Sequence, residues 1–511
     1  MPEGRYLIGV DVGTSGTKSI LIDETGAVRA RALIEYPLYT PKPLWAEQDP
    51  ADWWNATVGT IRKLIEETGI KASEIRGIGL SGQMHGSVFL DAQNQVIRPA
   101  LLWCDQRTAA ECAWITDTVG KNKIIELTLN PVLTGFTAGK IIWLRNNEPK
   151  NYEKVRKVLL PKDYIRFMLT GEYATEVSDA SGTSLFNVKK RDWAYEVLDA
   201  INIPKEWMAK VYESPEVSGC ISAEAAALTG LNPGTPVVGG GGDQAAGAVG
   251  NGIVDTGVVS STVGTSGVVF AFLDEPSVDP EYRTHTFCHA VPGKWHVMGA
   301  MLSAGGSLRW YRDTFCGEEK SVAASLGKDP YELITAEAAT VPVGCEGLIF
   351  LPYLTGERTP YPDPNARGVF FGATLRHNKS YFARAVLEGV AYGLNDSFAI
   401  FDVMGVSVTQ VRASGGGARS PLWRQMQADI TGREHVMINV DEGPAFGVAL
   451  LAGVGTGVWK SVSEACHSTI QVTDRIQPNM ELNKQYAPYY RMYRQLYQDL
   501  KPRFTELTKM G

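Results

Sequence analysis

The tetrapeptide Gly-Thr-Ser-Gly occurs twice, at residues 13–16 and 264–267, and no other feature constrains the fold as tightly. β-Rich runs flank each copy: Tyr6–Val12 and Thr17–Ile22 around the first, Val258–Val263 and Gly267–Phe270 around the second. Two short strands joined by a glycine turn read as a β-hairpin. The turns start 251 residues apart (264 minus 13) in a chain of 511, about half its length. The chain therefore reads as two halves of related architecture, each opening with the same hairpin. Its length exceeds what one core fills, which also gives two domains.

The segments around the hairpins fit mixed α/β sheets with helices packed on them. A third strand is expected near Val28–Ile34. A helix is expected over Pro50–Thr68, capped by Asp49, with Trp54, Val58, Ile61, Leu64 and Ile65 on one face. Ile75–Leu80 reads as a buried strand running into the loop Ser81–Gly86. Pro236–Val238 enters a glycine-rich turn from which a small-residue helix leads to Gly250. Helices are expected over Tyr381–Phe401, Ser420–Thr431, from Pro444 onward, and over Asn483–Lys501. No low-complexity linker separates the halves, so domains of residues 1–247 and 248–511 are expected to pack closely around a cleft.

The formal net charge is −7, from 49 basic and 56 acidic residues, with no basic run. That argues against nucleic acid or an anionic membrane as partner. Seven cysteines without a CxxC pair read as reduced thiols of a cytoplasmic protein. The N-terminus meets Asp11 before any apolar run long enough for an export signal, and no stretch of 18 apolar residues occurs.

Glycine turns let the backbone approach an anion and aim N–H groups at it. In the first turn Thr14 and Ser15 add hydroxyls, Lys18 offers positive charge, and Asp11 suits Mg²⁺ held through water. One such turn alone reads equally well as a plain hairpin. Two, one from each half, fit a clamp on a nucleotide's phosphates. Gly415-Gly416-Gly417, between a strand and a helix, stands where open α/β sheets bind ligands. A P-loop and the protein-kinase HRD and DFG pair are absent. Gly240-x-Gly242-x-x-Ala245 approximates a dinucleotide fingerprint but sets Asp243 where a pyrophosphate would lie. Asp243 reads as a base accepting a hydroxyl proton, or as a cap of the following helix, and both readings stand. His285 and His289 are expected on one strand, where residues four apart lie roughly 13 Å from each other, too far to share an ion. His85, in a loop after an apolar strand, is placed to line a cleft.

Two longer segments, Gly135–Leu144 and Gly368–Gly372 through Arg384–Gly389, together with the hairpins, resemble the signatures of the FGGY carbohydrate kinases. That resemblance implies an α/β fold of two duplicated domains around a central cleft, the actin/hexokinase-like (ribonuclease H-like) ATPase fold. It implies transfer of phosphate from ATP, with Mg²⁺, to a sugar. Gln83-Met84-His85-Gly86, Leu44–Pro50, Leu160–Tyr164, Phe287–His289 and Leu351–Pro360 are similar to members acting on D-xylulose. By resemblance Asp243 is the proton acceptor and Asp11 the carboxylate of the magnesium and phosphate site, with Asp243 also near the metal. Met84, His85 and Gln83 are placed at the sugar, with Trp103, Asp105 and Gln244 nearby. Thr14, Ser15, Gly264, Thr265, Gly306, Gly416, Gly417 and Ser420 are placed at ATP. A homodimer fits the same resemblance. Alternatives are a kinase for ribulose, gluconate or glycerol, or a nucleotide-gated binding protein on the same fold.

Overall fold

A computed structural model describes residues 6–510 of the chain. Strands β1 (Tyr6–Val12) and β2 (Gly16–Asp23) form the first hairpin, and β3 (Val28–Glu35) extends it. Helix α1 (Pro50–Thr68) begins with Asp49 accepting the Ala51 N–H at 2.9 Å and ends at Gly69, left-handed at φ 66°. Proline in the first turn lacks only an N–H that would have no partner there, and glycine takes the left-handed cap without a Cβ clash. The buried face is not the expected one. Trp53, Thr57, Thr60, Ile61 and Leu64 face inward, while Trp54, Val58 and Ile65 are half-buried. Thr60 goes inside with its hydroxyl partnered: Oγ1 donates to Thr57 O at 3.1 Å and lies 2.7 Å from Ser19 Oγ.

Strand β4 (Ile75–Gly82) pairs parallel with β1. Strands β5 (Val217–Cys220), β6 (Pro236–Val238) and the two-residue β7 (Gly241–Gly242) complete a sheet of order β5-β6-β4-β1-β2-β3, with β7 also beside β4. Helix α2 (Asp243–Gly250) leaves directly from β7.

The second half repeats this plan. Strands β8 (Gly257–Val263) and β9 (Gly267–Leu273) form the second hairpin, followed by β10 (His285–Cys288) and β11 (Trp295–Met301). Helices α3 (Gly305–Phe315) and α4 (Lys379–Val403) precede β12 (Val408–Ser414). Then come α5 (Pro421–Thr431), β13 (His435–Ile438), α6 (Pro444–Gly455), β14 (Val472–Ile476) and α7 (Met480–Met510). Pairings run antiparallel, antiparallel, parallel, parallel, antiparallel along β3-β2-β1-β4-β6-β5. The same series runs along β11-β9-β8-β12-β13-β14, with β10 added at the edge. The shared glycine turn is thus the visible remnant of a duplicated sheet.

The halves are interlocked. Helix α6, late in the chain, lies on the first sheet: a Cβ on Gly9 would sit 1.8 Å from Ala445 O, and one on Gly79 1.9 Å from Val448 O. Helices α2 and α6 cross as closely, since a Cβ on Gly447 would sit 1.8 Å from Ala246 O. Lys18 and Arg31 of the first sheet both ion-pair with Glu442, just before α6. The expected division at 247/248 falls inside α2, and its outer ends, residues 1–5 and 511, lie outside the described residues. Among the described residues no helix is long and apolar enough to cross a membrane, and no group of three or more His, Cys, Asp or Glu is placed to hold a metal. The seven cysteines are free thiols.

Candidate active site

Three parallel strand ends build the centre of the site. Asp11 of β1 lies in register with Ser81 of β4, and Ser81 in turn with Gly241 of β7. Two strand spacings, about 10 Å, therefore separate the Asp11 backbone from that of Gly241. Asp243 follows two residues later as the first residue of α2. The two carboxylates flank the end of β4, and the charge of Asp11 acts on Asp243.

Their electrostatics follow from that placement. Burial pushes the Asp11 carboxyl up to about 6, against the pull of the Ser81 hydroxyl and Lys18. Its Oδ1 is buried and has no hydrogen-bond partner among the described residues. Burial, then the charge of Asp11, pushes Asp243 up to about 7, opposed by the backbone and side chain of Gln244. Desolvation and a like charge both disfavour the ionised form. A pair of this kind, with an orphaned oxygen, has the donor chemistry for a divalent cation. Lys18, expected to face phosphates, is instead engaged by Glu442, whose carboxylate and backbone oxygens it contacts.

The first turn is braced from behind. Tyr36 Oη donates to Gly13 O at 2.6 Å, and Gln48 Nε2 to Thr14 O at 2.7 Å. Gln83 Nε2 donates to Gln48 Oε1 at 2.9 Å, Thr14 Oγ1 donates to Gln83 Oε1 at 3.2 Å, and Trp103 Nε1 donates to Thr14 Oγ1 at 3.0 Å. Gln83 and Trp103, expected at the sugar, thus both hold this turn. The N–H groups of Thr14 and Ser15 donate to no acceptor among the described residues, and Ser15 is exposed.

The second turn docks on the start of α3. Gly305 N donates to Gly264 O at 2.8 Å, and Ala304 N and Gly306 N donate to Thr265 O at 2.9 and 3.0 Å. Glycine is required at 305 because a Cβ there would lie 2.4 Å from Gly264 O. Gly415, at φ 79°, and Gly417 pack against Val263, the residue before the turn. Gly264, Thr265, Gly306, Gly416 and Gly417 are therefore gathered at one sheet end, with Gly264, Thr265 and Gly416 exposed. The Ser420 hydroxyl is instead the cap of α5, accepting the Trp423 N–H at 3.3 Å.

The loop after β4 carries the remaining candidates. Met84 is buried against Gly242, the residue before Asp243. His85 adopts φ 68°, stacks on Phe136 at 4.4 Å and places Nδ1 2.7 Å from Gly182 O. Burial first, then Lys140, holds its pKa well below the ordinary histidine value, so the ring is neutral. With the proton on Nδ1 bonded to the Gly182 carbonyl, Nε2 is an acceptor. Asp105 is fully buried, and its two oxygens accept from Arg107 and Ala46 N. In this conformation it anchors the Trp103 loop and offers no surface to a ligand.

Several supporting residues are not among the candidates named from the sequence. Lys140 Nζ donates to His85 O at 2.7 Å and to Gly135 O. Ser178 Oγ accepts the Gly242 N–H at 3.1 Å, and Glu176 accepts the Ser178 and Asp179 N–H groups. Lys162, wholly buried, lies among Asp163, Glu176 and Asp179 beneath this corner. Lys140 and Lys162 fall inside segments similar to family signatures, and Glu176 bonds near neighbours in the chain, but residue type alone does not show that these charges are buried.

Comparison with known proteins agrees with this arrangement. Residues 6–250 match the N-terminal domain, and residues 259–456 the C-terminal domain, of the FGGY family of carbohydrate kinases. The chain is 41% identical over 496 residues to the xylulose kinase of Escherichia coli strain K12, covering 97% of this chain and 99% of that one. A crystal structure titled "xyloylose kinase" from Brucella ovis superposes with TM-score 0.88 at 37% identity, covering 98% and 100% of the two chains. Gluconate kinase from Lactobacillus acidophilus superposes with TM-score 0.91 at 28% identity, covering 99% and 100%. With both halves matched by the family's two domains and nearly the whole chain matched by these sugar kinases, the chain belongs to the FGGY family of carbohydrate kinases.

Proposed function

We propose that the protein transfers the γ-phosphoryl group of ATP to D-xylulose, giving ADP and D-xylulose 5-phosphate. The observation that carries this reading is the Asp11–Asp243 pair: a carboxylate with its proton affinity raised toward neutrality beside one with a buried, unpartnered oxygen. Asp243 accepts the proton of the 5-hydroxyl as that oxygen attacks the γ-phosphorus and the bond to the β–γ bridging oxygen breaks. The N–H groups of the two turns, at Thr14 and Ser15 and at Thr265 and Ser266, donate to the phosphate oxygens. Asp11 (through water) and Asp243 would hold Mg²⁺, which when bound neutralises charge on those oxygens. Neutral His85 accepts a sugar hydroxyl through Nε2, Met84 walls the pocket, and Gln244 orients Asp243. Residues 1–247 supply the sugar side and the first phosphate turn, and residues 248–511 the nucleotide side. Closure of the halves excludes water and limits ATP hydrolysis. A cytoplasmic homodimer with no nucleic-acid or membrane partner fits this role.

The test is ADP release, coupled to NADH oxidation, with Mg-ATP and a panel of D-xylulose, D-ribulose, D-gluconate and glycerol. Sugar-dependent ADP with the highest kcat/KM on D-xylulose is expected. Turnover on D-gluconate above D-xylulose would favour the second reading, to which the gluconate kinase fold likeness points. Absence of sugar-dependent ADP with all four would favour a nucleotide-gated binding protein.

A pH dependence follows. Below about 7, Asp243 holds its proton and cannot accept another. kcat/KM, which reports the free enzyme, is expected to fall about tenfold per pH unit below that value and to level off above it. Excess Mg²⁺ shifts the limb to lower pH by stabilising the ionised pair. A flat profile between pH 5 and 8 would contradict the assignment.

A further inference from the structure

Resting on the kinase reading above, we infer that Arg358, contributed by the second half of the chain, binds the oxygen atoms at the non-reacting end of the sugar. The segment that carries it is fixed at the rim of the second sheet. Thr359 N donates to Ala300 O at 3.0 Å and Thr359 Oγ1 accepts the Ala300 N–H at 3.1 Å. Glu357 Oε1 accepts the N–H groups of Leu302 and Arg358 at 2.8 and 2.7 Å. Ala300 is the register partner of Val268, one residue past the second glycine turn. Arg358 therefore stands on a loop pinned to the end of β11.

Its guanidinium has no ion pair or hydrogen bond among the described residues. Arg107, Arg166, Arg384 and Arg433 are each tied to a carboxylate, and the half-buried Arg145 and Arg412 donate to the carbonyls of Ile201 and Asn251. Glu357, beside Arg358, spends its Oε1 on two backbone N–H groups, and burial pushes its carboxyl up to about 8, so it is a poor counter-ion at neutral pH. Burial also lowers the pKa of Arg358. A half-buried guanidinium whose N–H donors have no acceptor among the described residues is open to a ligand that brings oxygen acceptors.

The place of this segment comes from the strands it bonds: Thr359 holds Ala300 of β11 and, through Oγ1, the Arg283 carbonyl just before β10. Met298 of β11 is the register partner of His285 and shares one apolar cluster with Met84 and Phe136 of the first half. The Arg358 charge also acts on His85, the sugar-loop histidine of the first half, and on His285 of β10. His285 adds a second sign of an incomplete polar site: it is 5% exposed, and neither ring nitrogen has a partner. It is tilted against Phe136 at 5.9 Å and stacked on Phe287 at 5.9 Å, and Phe287 lies 6.2 Å from His85. Arg358 and His285 thus face the His85 loop from the opposite half. A planar fork of donors suits the carbonyl and hydroxyl oxygens of a ketose. Contact with both halves would also couple sugar binding to closure.

The experiment compares wild type with Arg358→Met in the coupled assay, varying sugar and Mg-ATP separately. The expected result is a rise of tenfold or more in KM for D-xylulose, with KM for Mg-ATP and sugar-independent ATPase within twofold of wild type. If Arg358→Met fails to fold, Arg358→Lys takes its place; it keeps the charge but loses the fork, and a rise of at least fivefold in sugar KM is expected. Unchanged sugar KM, or a parallel rise in KM for Mg-ATP, would overturn the inference while leaving the kinase reading intact. A wild-type enzyme that neither turns over nor binds D-xylulose in calorimetry would overturn both.

Discussion

Asp243→Asn is expected to lower kcat about 1,000-fold on D-xylulose, within the range a positioned general base contributes. Asparagine keeps the shape at the first position of α2, but its amide cannot accept the hydroxyl proton. Stability should move the other way. The folded-state pKa values of Asp11 and Asp243, about 6 and about 7, lie above the unfolded value of 3.8. These carboxyls hold protons more tightly when folded, so their contribution to stability is present below pH 4 and is lost as pH rises through 7. At pH 8 wild type carries two ionised, crowded carboxylates, and the variant carries one. Asp243→Asn should therefore melt at a higher temperature than wild type at pH 8 without ligands, by a margin that narrows at pH 5. Steady-state kinetics and thermal denaturation at the two pH values check both parts. A kcat within tenfold of wild type would remove Asp243 from the role of base.

Gly447→Ala is expected to destabilise the protein by about 3 kcal/mol, the upper end for overpacking a well-filled interior. The added methyl would sit 1.8 Å from Ala246 O and 2.8 Å from the Gly250 amide nitrogen, both backbone atoms of α2. No rotamer change relieves a clash with backbone, so α2 and α6 must separate. That separation would propagate to Asp243 at the start of α2 and to the first sheet beneath α6, so activity should fall with stability. Gly457→Ala serves as control. It lies at φ 76°, and a methyl group there would meet nothing within 4 Å, so only the left-handed backbone cost of about 1 kcal/mol applies. Urea denaturation of both variants distinguishes the terms. Equal losses would show that the helix crossing tolerates a methyl group.

Much of this architecture was legible in the chain. The paired turns announced the duplication because a glycine hairpin needs few residues to specify it, and Asp49-Pro50 marked the start of α1 through capping chemistry. The interlock was not legible. That α6 would lie on the first sheet depends on Gly9, Gly79 and Gly447, whose partners are hundreds of residues or a whole sheet away. The face of α1 was misplaced because apolar periodicity does not register the buried Thr57 and Thr60. The tail helix extends to Met510, past the expected Lys501, with Pro488 and Pro502 inside it. At the site, the family resemblance placed Asp11, Met84, His85 and Asp243 together. Residue type alone could not show that Asp105 is sealed behind Arg107, that Ser420 caps α5, or that Lys18 belongs to Glu442.

The most direct measurement is a crystal structure of Asp243→Asn with D-xylulose, Mg²⁺ and a non-hydrolysable ATP analogue, a combination the slowed variant can hold. The account predicts phosphates lying between the turns at 13–16 and 264–267, with the sugar 5-hydroxyl within about 3 Å of residue 243, the reach of a hydrogen bond. Phosphates bound to only one turn, or a sugar whose hydroxyls all lie beyond reach of residue 243, would contradict it.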